Sequence, residues 1–432
     1  MRVLFACYPQ RTHFFLMAPL AWALRTAGHE VLFATQPGLV DDITAAGLSA
    51  VPVGRDHAFW RMPETWQGWL ARRREGLPEP YDAALREPGE VPWEYLRDGM
   101  RYQVSRWHRT VNFPMTAELI TLAQRWQPDL VLWETTTYAG AVAARACGAA
   151  HARMLFGPDV FGNTRRHYLT QLGQQPPAER ADPLREWLEP YLRSMGDEFG
   201  EDMVTGQLTI DHLPSSLRIN PAPQHLPMRY VPYGGPATVP AWLRDAPQRP
   251  RVVVSTGLSV GGKLEGYDLT LRDVLVALTD LPVEIVVTAP DEAAAGLTGL
   301  ADNTRIIPYV PLQALAPTCV AAVHHAGPGT LATLALHGVP QLTLPGDFDE
   351  PILARRLAAQ GAGLALSPAT ASPGAVRDGI IELLENPRFR ERAARLRDEM
   401  HAMPSPNEVV GVLEHVVTHA PRRGVIEPNR PQ

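Results

Sequence analysis

A strand–helix alternation that stops at a proline-rich stretch and then starts again constrains this chain more than any other feature. It opens with the apolar run Arg2–Cys7, a helical pattern through Pro19–Ala27 closed by Gly28, and a second strand at Glu30–Thr35. That is a βαβ unit, the signature of a parallel, doubly wound sheet. Further strands are expected at Asp129–Trp133, Ala152–Phe156 and Ser216–Ile219. Between Asn220 and Pro250 eight prolines accumulate and resist regular structure, which reads as an interdomain linker. Beyond it, strands are expected at Arg251–Thr256, Glu284–Thr288, Arg305–Pro308, Val320–His324, Gln341–Leu344 and Leu364–Leu366. A chain of 432 residues accommodates two such α/β domains of roughly 200 residues each.

The expected division is a first Rossmann-like domain over 1–219, a linker over 220–250 and a second domain over 251–404. Ser405-Pro406-Asn407-Glu408 spells a capping box with proline at the first helical position. It introduces a last helix, within 405–419, expected to return to the first domain. Pro19 would break a helix interior, so the first helix is expected to begin near Leu16–Ala18, with His13 in the loop before it or at its edge. Residues 59–109 do not fit the alternation. Trp60, Trp66, Trp69, Trp93 and Trp107, half of the ten tryptophans, fall there. Either this is a helical excursion whose aromatics pack on the domain, or it lines a site for a large apolar ligand or a partner.

Composition removes several classes. With 45% apolar and 20% charged residues the chain buries cores and is not disordered. No apolar run approaches a span and no basic leader opens the chain, so neither a membrane helix nor a signal peptide is expected. Three scattered cysteines suit a reducing cytoplasm, the expected location. A net charge of −6 argues against nucleic acid. Lys263 is the single lysine, which argues against Schiff-base chemistry.

Candidate chemistry lies in loops after strands. His324-His325-Ala326-Gly327-Pro328-Gly329-Thr330 joins a strand to a helix. Its small residues and unpaired first-turn N–H groups suit a diphosphate. A structural glycine turn is the competing reading, and the paired histidines also suggest a metal, although neighbours on a strand point to opposite faces. Ser255-Thr256-Gly257 closes the first strand of the second domain and could hold the same anion. Asp347-Phe348-Asp349-Glu350 fits a metal site, acidic helix caps or acceptors for sugar hydroxyls. In the first domain His13 and Glu134 each follow a strand, at the edge where a doubly wound sheet binds ligands. A histidine backed by a carboxylate is a general base, and a helix N-terminus beside it favours the neutral ring.

Taken in order, these features resemble the inverting, two-domain (GT-B fold) glycosyltransferases of natural-product biosynthesis. The likeness covers essentially the whole chain and is strongest to the bacterial branch that attaches deoxysugars from dTDP donors to macrolides and aromatic polyketides. It is carried by Met1–Phe5, His13 with Pro19–Leu24, Ala27–Val31, Pro128–Glu134, Arg229–Tyr233, Tyr309–Leu312, His324–Thr330 and Gly346–Glu350.

The resemblance implies two Rossmann-like domains facing a central cleft, and a hexosyltransferase that needs no metal or other cofactor, the dTDP-sugar being a co-substrate. It implies that His13 is the catalytic base and Glu134 its partner, where many relatives carry aspartate. His325, Gly327, Gly329 and Thr330, with Ser255 and Gly257, would meet the donor diphosphate. Val310 and Leu312 would meet the nucleobase, and Asp349 and Glu350 the sugar. Glutamate at 350, where many relatives carry glutamine, points to an unusual deoxysugar or an amino sugar. Phe14, Trp60 and Phe156 are expected to contact a hydrophobic aglycone. The excursion is also where relatives that need a cytochrome-P450-like auxiliary protein receive it; a second copy of the chain is the other partner considered. Two further readings are a sugar-nucleotide epimerase of the same fold and an inactive homologue that activates another transferase.

Overall fold

The computed structural model describes residues 1–57, 73–74, 76–87, 89–220, 224–255, 267–289, 294 and 297–419. The chain divides into two units, each built on its own parallel sheet. The first unit comprises Met1–His212, Ile219–Met228 and the stretch from Pro404 onward; the second comprises Leu213–Arg218 and Arg229–Met403.

The first sheet draws on β1 (Arg2–Ala6), β2 (Glu30–Thr35) and β3 (Ala50–Pro52), after which β4 (Arg73–Arg74) and β5 (Leu77–Pro78) form a separate small ladder. It continues with β6 (Leu130–Glu134), β7 (Ala150–Met154), β8 (Leu208–Asp211) and β9 (His225–Pro227). The spatial order is β3-β2-β1-β6-β7-β8-β9, with every pair parallel. β6 and β7 are buried at every position, as a sheet covered on both faces requires. The order reverses between β1 and β6, and a crevice opens at the carboxyl ends of strands at such a point.

Several expectations change here. The first helix runs Arg11–Thr26, so His13 lies in its first turn and Pro19 in its interior. Nine of its side chains, including Phe14, Leu16, Met17, Leu20 and Leu24, are buried. That burial outweighs the loss at proline, about 3 kcal/mol. The strand expected at Ser216–Ile219 is absent; Leu208–Asp211 takes its place, and a seventh strand, β9, arises inside the stretch read as linker. β9 is the sheet edge, where Pro227 forfeits no interior ladder bond. Leu213–Arg218 is tied to the second unit instead: Ser215 Oγ and the Ser216 N–H both donate to Glu399.

Within the aromatic excursion, the helices Trp93–Gln103 and Arg109–Trp126 join through a π-helical turn at Val104–His108. Trp93 and Trp107 are buried and pack on Tyr168 and His108, the structural reading of this region. Trp60, Trp66 and Trp69 lie outside the described residues. The last helix, Pro406–His419, packs on Arg11–Thr26, and Glu414 Oε1 lies 3.0 Å from His29 Nε2.

The second sheet contains β10 (Arg251–Ser255), β11 (Glu284–Thr288), β12 (Thr304–Ile307), β13 (Cys319–His324), β14 (Gln341–Thr343) and β15 (Gly363–Ala365). Its order, β12-β11-β10-β13-β14-β15, reverses between β10 and β13. One face buries Val252, Val254, Ile285 and Val323; the other buries Val253, Val286 and Ala322. Leu243 joins the second of these clusters, and Tyr230 Oη lies 3.2 Å from Thr333 Oγ1. Much of the proline-rich stretch is therefore part of this unit rather than a free linker. Among the described residues no helix is long and apolar enough to cross a membrane.

Candidate active site

Both strand-order reversals carry the residues singled out from the sequence. In the first unit, β1 leads through Cys7–Gln10 into the helix bearing His13, and β6 ends on Glu134. His13 Nδ1 lies 3.3 Å from Glu134 Oε1; the His13 side chain is 19% exposed and that of Glu134 2%. The carboxylate thus selects Nδ1 as the protonated nitrogen and leaves Nε2 as the basic one.

Glu134 is fixed by its own loop. Thr136 Oγ1 and Thr137 Oγ1 donate to Oε2 at 2.7 and 2.9 Å, and the Thr136 N–H donates to Oε1 at 3.0 Å. Burial works to raise this carboxyl, but the His13 charge and the Thr136 hydrogen bonds prevail and hold it below its usual range. Beneath the pair, Cys7 is buried, and desolvation together with the Glu134 charge pushes its thiol well up, so it is no nucleophile.

Phe156, in the loop after β7, stacks on His13 with centroids 4.2 Å apart. It covers one face of the imidazole. Phe14 does not join the site. It is wholly buried, edge-on to Phe33, because adjacent helical residues point about 100° apart. Its assignment as an acceptor contact is corrected to core packing. Trp60 lies outside the described residues.

In the second unit, β13 ends at His324 and the helix Pro328–Leu336 follows. The two histidines divide their work. His324 accepts the Ala326 N–H at Nδ1 (3.0 Å) and so donates Nε2–H to Gln341 Oε1 (2.8 Å). It is a buried loop brace, with burial and then His325 pushing its pKa down to about 3. His325 turns the other way, its ring perpendicular to that of His324. A Cβ at Gly327 would overlap His325 Nε2, so glycine makes room for the ring. Gly329 and Thr330 fall in the first helical turn, where N–H groups have no intrahelical acceptor. Ser255 closes β10, its Oγ 2.9 Å from Thr288 Oγ1. Gly257 lies outside the described residues.

Glu350 Oε2 accepts the Gly346 and Asp347 N–H groups at 2.7 and 2.9 Å, while Oε1 is 3.8 Å from His325 Nε2. Burial works against charge on both partners of this contact. Burial pushes His325 down to about 4, against a backbone contact at Ser255. Burial pushes Glu350 up to about 8, against its two backbone donors. Asp349 is buried at the N-cap of Glu350–Gln360 without capping it through its side chain. Phe348 ahead of it takes φ 51°, a left-handed conformation costly for an aromatic residue. The Val310 side chain is in the core, leaving its peptide groups as what a nucleobase could meet, and Leu312 packs beside it. Among the described residues no group of three metal-ligating side chains occurs.

The threonine run after Glu134 was not singled out from the sequence. Its signal was three hydroxyls in succession beyond a strand ending in a carboxylate.

Two family models match: erythromycin biosynthesis protein CIII-like N-terminal domain over residues 22–257 and its C-terminal domain over 272–416. The chain is 43% identical over 423 residues to 10-deoxymethynolide desosaminyltransferase of Streptomyces venezuelae, covering 96% of this chain and 97% of the relative. It is 40% identical to 3-alpha-mycarosylerythronolide B desosaminyl transferase of Saccharopolyspora erythraea, covering 96% and 98%. The crystal structure of the glycosyltransferase VinC in complex with dTDP superposes with TM-score 0.86 at 38% identity, covering 97% of this chain and all of that one.

Proposed function

Because the chain belongs to the erythromycin biosynthesis protein CIII-like family of glycosyltransferases, we propose that it moves a deoxysugar from a dTDP-sugar to a hydroxyl of a macrolide or aromatic polyketide aglycone, inverting the anomeric centre. The observation that carries the mechanism is the His13–Glu134 pair at the strand-order reversal of the first sheet.

His13 Nε2 takes the proton of the acceptor hydroxyl. The freed oxygen attacks the anomeric carbon from the face opposite the diphosphate, so one C–O bond forms as the other breaks. Glu134 stabilises the imidazolium until its proton passes to water. The departing dTDP carries the bonding electrons, and His325 with the first-turn N–H groups of Pro328–Leu336 meets that charge. This scheme assigns no metal and no further cofactor. Val310 and Leu312 would meet the thymine, and Asp349 with Oε1 of Glu350 the sugar. Phe156, already against His13, is the acceptor contact nearest the base.

The deciding assay mixes the purified chain with dTDP- and UDP-sugars and with macrolide and polyphenolic aglycones, read by mass spectrometry. Glycosylated aglycone from a dTDP-sugar, persisting in EDTA and with inverted configuration, is expected. An epimerised sugar nucleotide without transfer would support the epimerase reading, and complete inertness the activator reading. Full turnover by the chain alone would remove the P450-like auxiliary protein, and light scattering of the same sample reads out a homodimer.

A further inference from the structure

We propose that Thr137 is a positioning residue that couples the segment carrying His13 to the carboxylate of Glu134; this rests on the reading of that pair as the catalytic dyad. The Thr137 hydroxyl stands between two partners. Its oxygen accepts the N–H of Tyr8 at 2.9 Å, and it lies 2.9 Å from Glu134 Oε2.

A hydroxyl owns one proton. With the Tyr8 N–H already directed onto the oxygen, that proton goes to the carboxylate, so the direction of the bond is set by the backbone. Tyr8 belongs to the short connection between β1 and the helix bearing His13, whereas Thr137 follows β6. One buried side chain therefore ties together the two connections that bring base and carboxylate to each other.

Glutamate has three side-chain torsions, and a buried carboxylate will follow its strongest donors. Here Oε2 receives the hydroxyls of Thr136 and Thr137, which leaves Oε1 as the oxygen facing His13. Removing the Thr137 hydroxyl leaves one hydroxyl on Oε2 and takes away the oxygen onto which the Tyr8 N–H is directed. The hydroxyl has no duty in the helix that starts beside it. Thr137 is the N-cap of Tyr138–Cys147, yet its side chain makes no capping bond. The loop backbone is held independently by Asn112, whose Nδ2 donates to the Thr136 carbonyl and whose Oδ1 accepts the Ala139 N–H. A loss of the hydroxyl should therefore move the carboxylate rather than the loop.

The test compares Thr137→Val, which keeps the shape and deletes the hydroxyl, with Thr137→Ser, which keeps the hydroxyl, and with His13→Ala. All are assayed as full chains with the dTDP-sugar and aglycone pair that the mass-spectrometric screen identifies. Thr137→Val should lower kcat about tenfold or more, with the donor KM unchanged and a displaced pH profile of kcat/KM. Thr137→Ser should restore both. If the valine variant does not melt cooperatively, Thr137→Ala replaces it. Wild-type kcat in the variant lacking the hydroxyl, an unmoved pH profile, or equal loss in the serine variant overturns the proposal. Should His13→Ala retain full turnover, the dyad reading itself falls. Should His13→Ala lose turnover while Thr137→Val keeps it, only the positioning role falls.

Discussion

His13 and Phe156 lie ring on ring, with 4.2 Å between centroids and planes 10° apart. Stacking holds the imidazole plane, and Glu134 at Nδ1 holds its rotation within that plane. An imidazole fixed in both respects presents Nε2 in one direction, which is what the proton acceptor of the proposed mechanism requires. Phe156→Leu keeps an apolar side chain and removes the aromatic face. Aromatic stacking is worth about 0.5–1.5 kcal/mol, so kcat should fall roughly 2- to 10-fold with the melting temperature little changed. Steady-state kinetics at saturating donor check this, and wild-type kcat would show that the stack does not orient the base.

The glycine at 327 is a requirement of its neighbour. Any Cβ there overlaps Nε2 of His325, so Gly327→Ala must push the ring from its place while the helix Pro328–Leu336 persists. If that ring meets the donor diphosphate, dTDP affinity should weaken about tenfold or more, as loss of one charge-assisted hydrogen bond implies. Calorimetric titration with dTDP reads this directly. Unchanged affinity with a cooperative melt would remove His325 from the anion site.

The parts of this fold that could be read in advance are those where local pattern and burial agree. β1, β2 and β10 are short apolar runs bounded by turns, and a parallel sheet covered on both faces selects such runs. His13 and Glu134 are 121 positions apart, and nothing local pairs them. Their meeting follows from topology, because β1 and β6 are neighbours in the sheet. Phe14 could not be placed from sequence because a helical residue's direction depends on which face is buried, and its ring is wholly buried. β9 was hidden by Pro227, which an edge strand tolerates and a central one does not. The start of the first helix was misjudged for a related reason: propensity placed Pro19 at the front, and burial of the surrounding side chains overrode it.

Arg153 is the largest charge wholly enclosed in the first sheet. From β7 its Nη2 reaches Asp159 Oδ2 at 2.5 Å and Thr209 Oγ1 at 3.1 Å, and Asp159 in turn caps the helix Val160–Leu172. Arg153→Met would leave the Asp159 carboxylate buried without its cation. Breaking such a pair costs about 3–5 kcal/mol, measurable by denaturant unfolding. The double variant Arg153→Met/Asp159→Asn should recover part of the loss, because no unpaired charge remains. Equal destabilisation in single and double variants would show that packing, not charge, is what the arginine supplies.

Glu350 makes stability depend on pH in a direction opposite to that of Glu134. Burial raises its carboxyl from 4.5 to about 8, with the Gly346 and Asp347 N–H groups pulling the other way. Below the unfolded value both states hold the proton, and Glu350 adds no pH dependence. Between that value and about 8 the folded chain still holds a proton that the unfolded chain has released, so each rise in pH favours unfolding. Above the folded value both states are ionised and the penalty is complete. Glu350→Gln cannot ionise, while its amide oxygen can still accept the two N–H groups. The variant should therefore melt close to the wild type near pH 5 and progressively above it toward pH 8, by differential scanning calorimetry in matched buffers. A constant difference across that range would mean that Glu350 is ionised throughout. The contact at 3.8 Å would then set an ionised carboxylate against the His325 ring.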